Sequence, residues 1–190
     1  MNKMLAIAFT FLCTAATTHA QNTFTDPRDG KEYKAVIIGD QTWMAENLNY
    51  EASDSKCYDN NSINCEKYGR LYSWATAKSV CPSGWHLPSK SEYEALDKAV
   101  GGANVSGKKL KAKSGWNKNG NGTDEFGFSA LPGGRTLTDG SFYDVGNNGF
   151  WWGVSDGGSY AYYRNMAYYG ISTWTSEDKS NLQSVRCIKD

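Results

Sequence analysis

Cys81-Pro-Ser-Gly-Trp-His-Leu-Pro-Ser-Lys-Ser-Glu-Tyr-Glu-Ala-Leu96 places a cysteine, two prolines, a tryptophan and a strong helix start within sixteen residues. Ser89 with Glu92 is a capping box, in which the hydroxyl takes an orphan N–H of the first turn and the carboxylate reaches back to the cap. Pro88 bars a helix from running into that cap from upstream. Tyr93, Leu96 and Val100 recur at helical spacing, and Gly101-Gly102 ends the helix. The stretch therefore predicts a turn, a helix and, through Cys81, a covalent tie to a distant part of the chain.

Upstream, residues 1–20 read as a secretory signal. Lys3 gives a positive start, Leu5 to Ala16 an apolar run too short to span a bilayer, and Thr18-His19-Ala20 a cleavage site. Leu12 stands where a lipidated Cys13 would need a small neighbour, which disfavours a lipoprotein. The remaining 170 residues suit one domain, 21–190, secreted or held at the cell surface or in the periplasm. They carry nineteen basic and twenty acidic side chains, a balance that gives no electrostatic case for nucleic acid or an anionic membrane. No further apolar run is long enough to cross a membrane. Four cysteines remain, Cys57, Cys65, Cys81 and Cys187, and an even number in an exported chain argues for two disulfides with three connectivities. The expected pairs are Cys57–Cys65, around the turn-rich Tyr58 to Asn64, and Cys81–Cys187.

The composition is rich in Trp, Tyr, Gly, Asn and Ser, which suits a loop-rich α+β domain with an aromatic core. Tyr33 to Ile38 and Gln41 to Ala45 read as a hairpin turning at Gly39-Asp40. Residues 22–30 read as polar turns. Tyr68, Leu71, Tyr72 and Ala75 share one face of a predicted first helix that ends near Val80, and the second runs from Ser89. These are the two main helices, with at most a short third near Lys108 to Ala112. Phe126 to Leu131 reads as an apolar segment entering the core. Phe150 to Ser155, Tyr160 to Met166 and Ser184 to Ile188 are short strands between long loops.

Five stretches occur in order: Gly39 to Tyr50 (GDQTWMAENLNY), Tyr68 to Trp74 (YGRLYSW), Cys81 to Ser89 (CPSGWHLPS), Gly127 to Arg135 (GFSALPGGR) and Ser184 to Cys187 (SVRC). Together they resemble the Fibrobacter succinogenes major paralogous domain family. The resemblance implies a branch of the C-type-lectin-like fold, related to formylglycine-generating and sulfatase-modifying proteins, in exported proteins without an established general activity. It also implies a bond between a cysteine of the helical region and one of the final strand, the roles of Cys81 and Cys187. The chain lacks the Glu-Pro-Asn, Gln-Pro-Asp and Trp-Asn-Asp triplets of sugar-binding C-type lectins, so their calcium-bridged sugar site is not carried over. With its cysteines paired, it also lacks the spare cysteines of formylglycine-generating enzymes.

Chemistry is thinly signalled. His86, the one histidine left after processing, cannot build a multi-histidine zinc site, and its place in the anchoring turn favours a packing or hydrogen-bonding role over a triad. Glu46, Asp124, Glu125, Asp139 and Asp144 could form an acid–base pair as in glycoside hydrolysis, but most read as turn formers or solvated charges. Asn117, Asn119 and Asn121 mimic the start of an EF-hand loop, but Phe128 stands where a bidentate Glu is required. No cofactor is expected; a looser calcium site on Asp124, Glu125 and loop carbonyls is the one left open, against an Asx-turn loop.

The last third is the strongest signal, with eleven aromatic residues between Phe142 and Trp174. Either Trp151 or Trp152 should point into the core. In the adjacent pairs Tyr162/Tyr163 and Tyr168/Tyr169, one ring of each faces away from its neighbour. Outward rings stack on the C–H faces of sugars or pack on proteins. The expected ligand set is Tyr163, Tyr169 and Trp174, with Arg164, Asn165 and Asp156 as polar grip. The leading expectation is a secreted, non-catalytic module binding polysaccharide or surface glycan. The alternatives are a structural or protein-interaction domain with an exported protein as partner, and a carboxylate-based hydrolase or modifying enzyme.

Overall fold

The computed structural model describes residues 21–170 and 172–190, so the signal-peptide reading of residues 1–20 lies outside the described residues. The chain runs through β1 (Gln21–Thr25), β2 (Glu32–Ile38), β3 (Gln41–Met44), β4 (Ser55–Lys56), α1 (Ser62–Tyr68), β5 (Leu71–Tyr72), α2 (Trp74–Ala77), β6 (Trp85–His86), α3 (Lys90–Ala99) and α4 (Ala103–Leu110). It continues through β7 (Arg135–Thr136), β8 (Phe142–Tyr143), β9 (Asn148–Gly157), β10 (Tyr160–Ala167), β11 (Ser172–Asp178), β12 (Gln183–Ser184) and β13 (Ile188–Lys189). One sheet has the order β1-β2-β3-β13-β6, the other β11-β10-β9-β12-β5-β4, and β7-β8 is a separate ribbon. The fold is mixed α+β, mostly sheet, with two disulfides.

The opening stretch folds as its local chemistry dictates. Ser89 and Glu92 form a reciprocal capping box on α3, and α3 buries Tyr93 and Leu96. The β2–β3 hairpin turns at Gly39, held at φ 61°. Cys57 bonds Cys65 and Cys81 bonds Cys187, the latter across 106 residues. Short Val185-Arg186-Cys187 carries the chain from one sheet to the other: Ser184 pairs with Trp151 in parallel, and Ile188 pairs with Trp43 and His86. That crossing puts Arg186 between the sheets.

The predicted first helix is corrected. Gly69, at φ 76°, ends α1 at Tyr68; a Cβ there would lie 2.7 Å from both the Asn47 Cβ and the Leu48 carbonyl oxygen. Leu71 and Tyr72 then form β5 against β4 and β12, and Ser73 caps the four-residue α2. The apolar spacing that mimics a helix face serves a strand and two short turns. The third helix begins earlier than expected, at Ala103. Residues 21–25, read as part of or next to polar turns, pair with β2, and β11 is a further strand not foreseen.

Trp151 and Trp152 are both buried, where only one was expected. Strand β9 is covered on both faces: Trp151 packs with Trp43, Tyr93, Leu96 and Met166, and Trp152 with Tyr72, Trp74, Ala161 and Tyr163. Five buried indole N–H groups find acceptors, in Gln41, Gly153, Ala130, Asn47 and Tyr72. The aromatic core thus buries large apolar surface without leaving those polar edges unmet.

Candidate functional site

Register along the β9–β10–β11 sheet decides which aromatic rings reach solvent. Across the β10–β11 pair, Tyr160 faces Asp178, Tyr162 faces Ser176 and Arg164 faces Trp174. Residues directly opposite share a face, as do residues two apart on one strand. Tyr160, Tyr162, Trp174, Ser176 and Asp178 therefore lie on one face. The ring planes of Tyr162 and Trp174 are parallel within 2°, their centroids 6.0 Å apart. Trp174 also meets Tyr93 of α3 at 5.4 Å, and it lies over Gly153, where a Cβ would come within 2.3 Å of its ring. Anchored on that side, Trp174 fixes Tyr162. Tyr162 is 37% exposed and Tyr160 54%.

Most of the expected ligand set lies elsewhere. Tyr163 is buried, edge-on to Phe150 and Trp152, so the outward ring of that pair is Tyr162. Burial pushes the Tyr163 hydroxyl above its ordinary pKa. Arg164 is also buried: its guanidinium grips Asp97 of α3 at 2.8 and 2.6 Å and donates to Ser106 Oγ of α4 at 3.1 Å. This arginine fastens two helices to the sheet and is not available as a polar grip. Asn165 sits across from Phe150 on the Tyr163 face and donates to the Gly149 carbonyl. Asp156 lies across from Ala161, on the face opposite the ring strip, and holds Lys179 at 2.6 Å. Tyr169 is exposed and edge-on to Tyr168, in the turn beyond β10 and roughly 20 Å along the strand from Tyr162. Of the six, Trp174 alone stays in the strip.

A cavity of about 230 Å³ lies elsewhere, between the β2–β3 hairpin, the end of α1 and the segment around Ser129. Asn47, Gly69, Ser129, Leu131 and Arg186 line it, with Lys31, Lys34, Lys67, Glu32, Glu46 and Glu66 among the charged residues around them. Four of the five stretches that carry the family resemblance contribute to this wall. Asn47 Oδ1 accepts from Trp151 Nε1, Arg186 Nε and Arg186 Nη2, and its Nδ2 donates to the Tyr68 carbonyl. Arg186 also donates to the carbonyls of Phe128 and Ser129. Burial pushes its pKa down to about 10. The sequence reading missed this site. Its residues read locally as turns and strand ends, and the available signal was that the motif stretches would have to meet somewhere.

The other polar candidates are committed to structure. Asp124 accepts from the Ser129 backbone N–H and hydroxyl; Glu125 meets Thr123 and Lys109. Gly120 and Gly122 lie so close to Tyr168 and Lys111 that a Cβ would clash with their backbone, which packs the asparagine-rich loop onto the domain. Asp139 caps its own turn through Ser141 N–H. Glu46 accepts the Lys34 N–H, and Asp144 reaches Arg135 at 4.0 Å. His86 bridges Glu92 at 2.7 Å and Asp190 at 2.6 Å, the hydrogen-bonding role expected of the anchoring turn. Among the described residues, no three His, Cys, Asp or Glu side chains gather as metal ligands, and no helix is long and apolar enough to cross a membrane.

No curated protein and no solved structure matches the chain. The profile of the Fibrobacter succinogenes major domain matches residues 36–189, from the middle of β2 to the end of β13, and the chain belongs to that family.

Proposed function

We propose that this chain is an exported, non-catalytic binding module that recognises polysaccharide or a surface glycan through Tyr160, Tyr162 and Trp174. The parallel Tyr162–Trp174 pair carries the reading. Trp174 is wedged against Tyr93 and Gly153, so the outer ring is held in one orientation at little further entropy cost on binding. Tyr160, two residues away, adds a second ring about 7 Å along the strand. Ser176 stands across from Tyr162 as a hydroxyl partner for sugar hydroxyls, and Asp178, whose Oδ1 takes the Ser180 N–H and hydroxyl, offers its other carboxylate oxygen across from Tyr160. The fold is read as C-type-lectin-like. Support comes from the Cys81–Cys187 bond, which ties the approach to α3 to the final strand, and from β1 and β13 sharing one sheet.

The test is retention of the oxidised chain on a panel of soluble and insoluble polysaccharides, with calcium and with chelator. Binding to one polymer should fall at least tenfold in Tyr162→Ala and less in Tyr160→Ala, and stay unchanged in Tyr169→Ala. Equal loss in all three, or retention unaffected by Tyr162→Ala, removes the strip from the mechanism. A folded protein that binds no polymer moves the reading to a protein partner.

A further inference from the structure

We propose that the cavity beside Arg186 is a binding site for a small carboxylate, free or carried on a sugar, and is independent of the ring strip. Arg186 is 1% exposed, and among the described residues the acceptors it touches are neutral: the Asn47 amide and the carbonyls of Phe128 and Ser129. It forms no ion pair with a described carboxylate. Two acids act on it from a distance without touching it: Asp124, spent on Ser129, and Glu46, which accepts the Lys34 N–H. A buried cation without a counter-ion is costly, and an anion of matching charge relieves that cost. Arg186 and two of its partners, Asn47 and Ser129, are among the residues that line the cavity.

Charge and shape narrow the ligand. Four cations and three carboxylates belong to the lining, which leaves one unit of positive charge. That favours a singly charged carboxylate over phosphate, whose second charge Glu46 and its neighbours would oppose. With Nε and Nη2 already engaged by Asn47 and Ser129, the arginine acts on the ligand through its charge and not through a bidentate fork. The volume, about 230 Å³, is below that of pockets for drug-sized ligands and suits one small molecule. Tyr33, Tyr68, Ala45 and Leu131 supply apolar wall for the carbon skeleton.

The experiment titrates the oxidised protein with sodium acetate, sodium glucuronate, glucose and inorganic phosphate, by calorimetry and by amide shifts in ¹⁵N spectra. Saturable binding of a carboxylate, with shifts at Gly69 and Ser129 and none from glucose, is expected. Acetate and glucuronate together would show that the carboxylate suffices; glucuronate alone would place it on a sugar. Asn47→Asp puts a carboxylate beside Arg186 and should weaken binding at least tenfold. Lys67→Glu, on an exposed lysine of the lining, should weaken it roughly threefold and lessen its salt sensitivity. Tyr162→Ala should change nothing. The proposal is overturned by absence of saturable binding, by phosphate binding more tightly than either acid, by shifts confined to the β10–β11 face, or by loss in Tyr162→Ala. Unchanged affinity in Lys67→Glu overturns it as well, even where Asn47→Asp fails to fold.

Discussion

Replacing Asp97 by Ala leaves Arg164 buried without its acid. The two side chains are 9% and 5% exposed, and the guanidinium reaches both carboxylate oxygens, at 2.8 and 2.6 Å. Ser106 Oγ accepts once more from Nη2, and among the described residues Arg164 Nε has no partner, so no described acceptor stands in for the lost acid. Breaking a buried pair from one side typically costs about 3–5 kcal/mol, because the surviving charge stays desolvated. For a chain of this size that corresponds to a fall in Tm of about 6–20 °C. Asp97→Ala with Arg164→Met removes both charges and keeps a linear apolar stem in place of the arginine's. The double variant should therefore recover at least about 2 kcal/mol relative to Asp97→Ala. Urea unfolding of the oxidised wild type, both single variants and the double completes the thermodynamic cycle. A cost below about 1 kcal/mol for Asp97→Ala, or simple additivity in the double variant, would refute the view that Arg164 is a fastening for α3 and α4.

Other perturbations test other parts of the molecule. Reduction of Cys81–Cys187 should cost about 5 kcal/mol in the chain-entropy model and loss of Cys57–Cys65 about half that, read as the Tm of Cys187→Ser with Cys81→Ser against Cys57→Ser with Cys65→Ser. Gly153→Ala would set a methyl group 2.3 Å from the Trp174 ring and tilt it; Trp fluorescence should shift and polymer binding should weaken although Tyr162 is untouched. Partial burial opposes charge on His86, but its hydrogen bonds to Glu92 and Asp190 win and raise its pKa, while Ser89 and His86 overcome burial to lower that of Glu92. The His86 contribution is thus complete below its ordinary 6.5 and lost as pH rises through the raised value; that of Glu92 is complete above its ordinary 4.5 and lost as pH falls. Being partly exposed, the contact is worth at most about 1 kcal/mol, and His86→Gln should flatten the alkaline side of a plot of stability against pH.

What could be read in advance was the chemistry that acts over a few residues. The Ser89–Glu92 box, the Gly39 turn and the cysteine count depend on neighbours in sequence or on parity, and the structure bears them out. The first helix failed because the need for Gly69 comes from Asn47 and Leu48, distant in sequence, and because the spacing of Leu71 and Tyr72 suits both a helix face and a strand. Tyr162 and Tyr163 are adjacent and identical, so the choice of outward ring turns on register with β11, a strand hidden by its serines and acids. Arg164 looked like a surface grip because Asp97 stands 67 residues away.

The two candidate surfaces also stand differently toward the core. The cavity is walled by stretches that carry the resemblance, including Asn47, Gly69, Ser129 and Arg186, and the same residues hold the crossing between the sheets together. A domain that keeps its sheets joined in this way keeps the cavity's polar wall as a consequence. The strip comes from Tyr160, Tyr162 and Trp174, all outside those five stretches, on a β10–β11 hairpin whose outermost strand pairs, among the described residues, with β10 alone. Side chains there can change with little effect on the core, provided Gly153 and Tyr93 leave room for the anchoring ring. The family match spans both surfaces, and polymer specificity is measured on this chain itself.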